Sequence, residues 1–138
     1  MTQQIVIGFG IILASVLIHA LFISIAVTAS RGVAAYKGFG FVKEVIVVVL
    51  AVLWMMLAHG SSVFMWTEVL QRTGAIAGFE DALYFTMVCY TTLGLGGLET
   101  TLQWRLLPGM IAANGFIMFG FTSAFAFDMV SRLRDGRT

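Results

Sequence analysis

Three long apolar stretches separated by short polar segments dominate the hydropathy pattern of this 138-residue chain. They cover residues 5–30, 45–67 and 106–127, and none of the three contains a charged residue. A helix needs about 20 predominantly apolar residues to cross the hydrocarbon core of a bilayer. The pattern therefore predicts three transmembrane helices and an all-α membrane protein.

Composition supports a membrane protein and argues against several other classes. The chain is 59% hydrophobic and 11% charged, whereas soluble domains carry about 25% charged residues. Its net charge of +1 gives no basic surface for nucleic acid. Cys89 is the only cysteine, so no internal disulfide can form. Because no nucleophile–base pair or metal-ligand cluster is recognisable, we expect no enzyme, no organic cofactor and no small-molecule substrate.

A fourth uncharged segment, residues 82–98, lies between the second and third stretches, and the charge distribution indicates how it sits in the membrane. The connector 31–43 and the tail 131–138 each carry three basic residues, whereas the segment 68–105 carries four acidic and two basic residues. Cytoplasmic loops collect Lys and Arg. A re-entrant loop places both basic regions in the cytoplasm, whereas a fourth full span would place one outside. We therefore expect an outside N-terminus and a cytoplasmic C-terminus.

The re-entrant segment has two parts of different character. Glu80 and Asp81 open a predicted helix over about residues 80–91, which would cross about half of the bilayer core. The run 90–97, Tyr-Thr-Thr-Leu-Gly-Leu-Gly-Gly, then breaks the helix. Glycines at alternate positions allow successive carbonyls to point the same way, and four such strands would form oxygen rings that replace the water shell of a cation. An amphipathic helix capped by Gly94 is the alternative.

This run resembles the filter of the potassium-channel superfamily, and the similarity extends to Trp104-Arg105-Leu106-Leu107 and to Ala112-Ala113-Asn114-Gly115. It covers about residues 41–130 and is closest to small bacterial members with a single pore loop. The resemblance implies a homotetramer in the bacterial inner membrane that passes potassium. It also implies an extra helix and connector at 1–40 and a pore domain at 41–138. That domain would comprise an outer helix (about 45–67), the pore helix, a filter (92–97), an inner helix (about 105–130) and a short tail.

The resemblance also implies roles for individual residues. Thr92 would offer its carbonyl and hydroxyl to the innermost ion site, and Thr91 would pack behind the filter. Trp104 is expected to support the pore or to anchor at the membrane interface. The carbonyls of the remaining filter sites would come from Leu93, Gly94, Leu95 and Gly96.

Two filter positions depart from the family pattern. Leu95 stands where an aromatic residue usually braces the filter, and Gly97 stands where an Asp usually ties down its outer end. Glu99 either replaces that missing charge or is a solvated loop carboxylate. Because these groups are missing, we expect a softer filter. Weak selectivity among monovalent cations is therefore one alternative to a potassium channel, and a non-conducting scaffold is another.

The predicted inner helix carries the candidate pore and gate residues. Gly115 is either a hinge or a close-packing position, and Asn114 is expected to face the helix bundle or the cavity. Thr122 and Ser123 either face the cavity or bond back to their own helix. Phe119 belongs to a group of phenylalanines of which one or two could form a hydrophobic constriction.

Charged and titratable residues also lie in or near the spans. Asp128 and Arg132 have the spacing of a helical ion pair. His19 and His59 lie in or near the membrane, where they either satisfy local hydrogen bonds or sense protons. No span carries the repeated Arg of a voltage sensor.

Overall fold

The computed structural model describes residues 2–34, 41–94 and 100–135, and every regular element in these ranges is helical. The elements in chain order are α1 Thr2–Ala34, α2 Phe41–Arg72, α3 Phe79–Tyr90, a 3-10 turn Leu102–Trp104 and α4 Leu107–Asp135. Three of them, α1, α2 and α4, are long and apolar enough to cross a membrane. The predicted all-α architecture of three spans and one short helix is confirmed.

The helices extend beyond the apolar stretches because hydropathy marks only the part suited to lipid. α2 continues past position 67 to Arg72, whose guanidinium pairs with Glu68 at 2.9 Å. α4 likewise continues past position 130, and Arg132 pairs with Asp128 at 2.6 Å. Both pairs have the i,i+4 spacing of a helix surface, so the ion pair predicted near the end of α4 is confirmed.

Contacts between residues of different helices establish the directions of the three long helices. Near the start of α1, Gln4 bonds to the segment that opens α4, and one turn later Gly8 packs against Met110. α1 and α4 therefore run in the same direction. α2 runs in the opposite direction. Trp54 donates its indole N–H to the Phe22 carbonyl at 3.0 Å, whereas Ile11, earlier in α1, lines a pocket with Val69, later in α2.

The segment between α2 and α4 enters and leaves at one end of the bundle. A turn with Gly74 at φ 66° follows α2, and α3 begins five residues later. α3 ends at Tyr90, which contacts His59, a residue about 20 Å along α2 from its Arg72 end. By position 103 the chain has returned to the start of α1, where the Gln103 carbonyl accepts a hydrogen bond from the Gln4 side chain. The segment is therefore re-entrant with respect to the helix bundle.

The core consists of two clusters stacked along the bundle. The larger surrounds α3 and includes Trp66, Tyr90 and Trp104, and the smaller joins Met55 and Ala58 of α2 to Phe125 and Met129 of α4. Large apolar side chains cover much of the outside, as expected of helices that face lipid.

Candidate ion-conduction site

The C-terminus of α3 is closed by a tight backbone cap. The Thr92 N–H donates to the Cys89 carbonyl at 2.9 Å, and the Leu93 N–H donates to the Val88 carbonyl at 3.0 Å. This pair of bonds defines a Schellman motif, in which the residue after the cap adopts a left-handed conformation. Thr92 occupies that position with φ 59°. The left-handed cap residue is therefore Thr92. The alternative interpretation of the sequence placed the cap two residues later, at Gly94.

The backbone that follows α3 begins an alternating pattern. Thr92 and Gly94 have φ of 59° and 63°, whereas Leu93 between them lies outside the left-handed region. Left-handed backbone costs a non-glycine residue about 1–2 kcal/mol, so the cap bonds must hold Thr92 in place. Of the two glycines whose spacing predicts alternation, Gly94 has the expected left-handed φ, and Gly96 lies outside the described residues.

The remaining filter residues, Leu95, Gly96 and Gly97, lie outside the described residues, as does Glu99. Their proposed roles as carbonyl donors, filter support and mouth charge stay predictions.

The other described residues leave the described part of the filter uncovered. Thr91 to Gly94 are all exposed, and Leu93 exposes 62% of its surface deep along the bundle. The Thr91 hydroxyl donates back to the Met87 carbonyl at 2.7 Å, so it is occupied within α3. No hydrogen bond of the Thr92 hydroxyl is present within the described ranges. Thr92 is therefore the filter threonine with a side chain available to a ligand.

α4 supports the end of α3 at a glycine. The carbonyl of Tyr90 lies against Gly115, where a Cβ would overlap it. Tyr90 itself is 1% exposed. Of the two sequence interpretations of Gly115, this contact supports close packing.

The other polar candidates on α4 point in different directions. Asn114 is fully buried and donates to the Ser15 hydroxyl of α1 at 3.0 Å, so its side chain faces the bundle. Ser123 bonds back to the Phe119 carbonyl at 2.9 Å, which is one of its two predicted alternatives. Thr122 follows neither of its alternatives, because its hydroxyl pairs with His59 of α2 at 2.9 Å.

One face of α4 has no partner among the described residues. Phe116 and Phe127 are its most exposed large side chains, at 74% and 76%, and Gly120 and Ser123 lie between them on the same face. Phe119 lies beside this face, 37% exposed, and stacks on His59 with ring centroids 4.5 Å apart. Among the phenylalanines considered for a constriction, Phe116 and Phe127 are therefore far more exposed than Phe119.

Trp104 is buried in the larger core cluster rather than standing free at the surface. It closes the 3-10 turn that leads into α4, and the Trp104 N–H donates to the Thr101 carbonyl at 2.8 Å. Its packing stabilises the return of the re-entrant segment, and a direct effect on the filter stays a prediction.

Two functional candidates escaped sequence reasoning. Gln4 joins α1 to the start of α4 through Gln103 and the Leu106 N–H. Tyr90 pairs with His59, which the sequence singled out without a partner. A polar side chain beside or within an apolar segment was the available signal, but residue order does not reveal which helix it faces.

The described ranges contain no metal site built from side chains of the usual ligand residues. They contain no group of three or more His, Cys, Asp or Glu residues able to hold a metal ion. The ligands available to a cation beside the end of α3 are the backbone carbonyls and the Thr92 hydroxyl. Oxygen ligands of this kind suit hard cations.

Comparison with known proteins agrees with this geometry. Residues 44–132, well over half of the chain, match the model of a protein family described as ion channels. No curated protein and no solved structure matches the chain. The match includes α3 and most of α2 and α4, and it confirms the resemblance to a channel pore module that the filter run indicated. The chain is therefore an integral membrane protein that belongs to this ion channel family, and not an enzyme.

Proposed function

We propose that the protein is a tetrameric cation channel that passes potassium down its electrochemical gradient through a filter of backbone carbonyls. The observation that carries this proposal is the position of Thr92, Leu93 and Gly94. They follow the end of a re-entrant helix deep in the bundle, and they are exposed on a face that the other described residues leave uncovered.

The need for shelter supports an oligomer. Non-helical backbone at membrane depth is tolerated only where protein or a water-filled cavity surrounds it. Several copies around an axis provide that shelter, and the family resemblance implies four. Each copy would turn the C-terminal end of α3 inward, where the negative pole of the helix dipole favours a cation.

The alternatives differ in the state of the filter. Leu95 and Gly97 lack the bracing groups usual at their positions, which motivates weak selectivity among monovalent cations. A non-conducting scaffold with the same helix arrangement is the remaining alternative.

We also propose that the protein lies in a bacterial plasma membrane with its N-terminus outside and its C-terminus in the cytoplasm. α1 and α4 begin at the end where the re-entrant segment enters, and that segment carries the acidic residues Glu80 and Asp81. The helix ends that adjoin the basic connector and tail in sequence, at Ala34, Phe41 and Asp135, lie at the opposite end of the bundle. This arrangement satisfies the preference of cytoplasmic loops for Lys and Arg.

Flux through the purified protein in liposomes tests the proposal. A potassium gradient should drive flux that protein-free liposomes lack, and the reversal potential in mixed potassium and sodium should follow potassium. Equal permeability to the two ions would support the weakly selective alternative. Absence of flux with a retained tetramer, checked by cross-linking, would support the scaffold. Four stacked ion sites along the axis would be the structural signature of potassium selectivity.

A further inference from the structure

A buried histidine of α2 makes two side-chain hydrogen bonds inside the bundle. His59 is 4% exposed, and its Nδ1 lies 3.1 Å from the Tyr90 hydroxyl. Its Nε2 lies 2.9 Å from the Thr122 hydroxyl. A neutral imidazole has one N–H and one lone pair, and a hydroxyl can donate or accept. Both ring nitrogens are therefore satisfied without a charge.

The ring is also held by its neighbours. Phe119 of α4 stacks on it with centroids 4.5 Å apart and planes at 24°. His19 of α1 meets it edge-on at 4.8 Å and 73°. The titratable groups that face His59 are thus His19 from α1 and Tyr90 from α3, and α4 contributes the uncharged Thr122 and Phe119. All four helices meet at this ring.

Tyr90 is the residue through which this cluster reaches the filter. It is the last residue of α3, and the cap that follows leads directly into Thr92. Its carbonyl is pressed against Gly115, and its hydroxyl is paired with His59. The end of α3 is therefore held by α4 on its backbone side and by α2 on its side-chain side.

We propose that His59 is a positioning residue for the filter, which it restrains by holding the hydroxyl of Tyr90. The proposal rests on the proposed channel function. The two usual braces, at positions 95 and 97, are absent from this sequence. His59 restrains the filter from its inner end, at the residue that precedes Thr91 and Thr92. A histidine that merely satisfies its own hydrogen bonds would stabilise the fold without affecting the filter.

A double-mutant cycle in planar bilayers tests the proposal. The variants are His59→Leu, Tyr90→Phe and the pair together, and the readout is the equilibrium between conducting and non-conducting states of the filter. We expect each single variant to lower that equilibrium constant about threefold, the factor that one hydrogen bond between membrane helices represents. The pair should lose less than the sum of the two single losses, because the His59–Tyr90 bond is removed by either substitution alone. His59→Gln, which keeps a hydrogen-bonding side chain, should restore part of the loss.

Tyr90→Phe keeps the ring volume and removes one oxygen atom, so it keeps the test valid if His59→Leu fails to fold. An unchanged filter equilibrium in Tyr90→Phe, or additive losses in the double variant, would overturn the positioning role. Cation flux through the wild-type protein would still support the channel function in that case. A wild-type protein without cation flux would overturn both the channel and this role. Thr122→Val is the matched control, since it removes the other hydroxyl partner of His59 and leaves Tyr90 in place. A loss in Thr122→Val as large as that in Tyr90→Phe would also count against the proposal.

Discussion

The carbonyl oxygen of Tyr90 lies so close to Gly115 that a Cβ at position 115 would overlap it. This contact seats the end of α3 on α4 just before the filter. Any larger residue must separate the two helices or displace the cap.

We therefore expect Gly115→Ala to destabilise the folded protein by about 1–3 kcal/mol, the usual cost of overpacking a close contact. Unfolding in detergent, followed by circular dichroism, measures the effect. Gly109→Ala is the control on the same helix, because no atom lies within 4 Å of a Cβ there. Equal stability of the two variants would show that position 115 is not a packing constraint.

The two filter threonines should respond differently to loss of their hydroxyls. Thr91 donates to the Met87 carbonyl within α3, whereas Thr92 is exposed beside the expected ion path. We expect Thr92→Val to reduce potassium flux about tenfold. The reason is that the variant loses one hydroxyl contact to the cation, and a contact of this kind to a charged group contributes about 1.5 kcal/mol. Thr91→Val, the same change one residue earlier, should leave flux near the wild-type rate. Equal flux in both variants would count against Thr92 as an ion ligand.

Gln4 should matter more than its neighbour Gln3. The Gln4 side chain accepts from the Leu106 N–H at 3.0 Å and donates to the Gln103 carbonyl, and it is buried. We expect Gln4→Leu to cost about 1–3 kcal/mol because it leaves two backbone groups without partners. Gln3 is exposed, so Gln3→Leu should change stability by less than about 0.5 kcal/mol. Thermal unfolding of the purified protein compares the two, and similar shifts would show that Gln4 does not hold α1 to α4.

The atypical filter positions can be given the groups that they lack. We expect Leu95→Tyr combined with Gly97→Asp to raise the potassium-to-sodium permeability ratio or to lengthen the conducting state. The reason is that both changes restore groups that brace the filter in the related pores. Leu102→Tyr is the control, since Leu102 is 85% exposed beyond the filter. Reversal potentials measure the ratio, and an unchanged ratio and lifetime would show that the two departures are neutral.

Much of the architecture follows from the sequence because its causes are local. Apolar length determines which segments can span lipid, and the acidic pair Glu80 and Asp81 marks the start of α3 within one residue. The run of Thr and Gly after Tyr90 ends that helix, and left-handed backbone is present at Thr92 and Gly94.

The filter run and its flanking residues also predicted the family, since residues 44–132 match an ion channel family. Selectivity for potassium, the tetramer and the orientation remain proposals.

Only the tertiary structure decided which side of each helix faces which neighbour. Asn114 bonds to Ser15 rather than standing free, Thr122 reaches His59, and Gly115 packs against Tyr90. In a soluble helix the polar face reveals the buried one, but these spans are apolar on nearly every side. Their rotation depends on side chains about 100 residues apart in sequence, such as Ser15 and Asn114. Hydropathy specifies which segments enter the membrane, whereas the packing of helix against helix specifies what they present to one another.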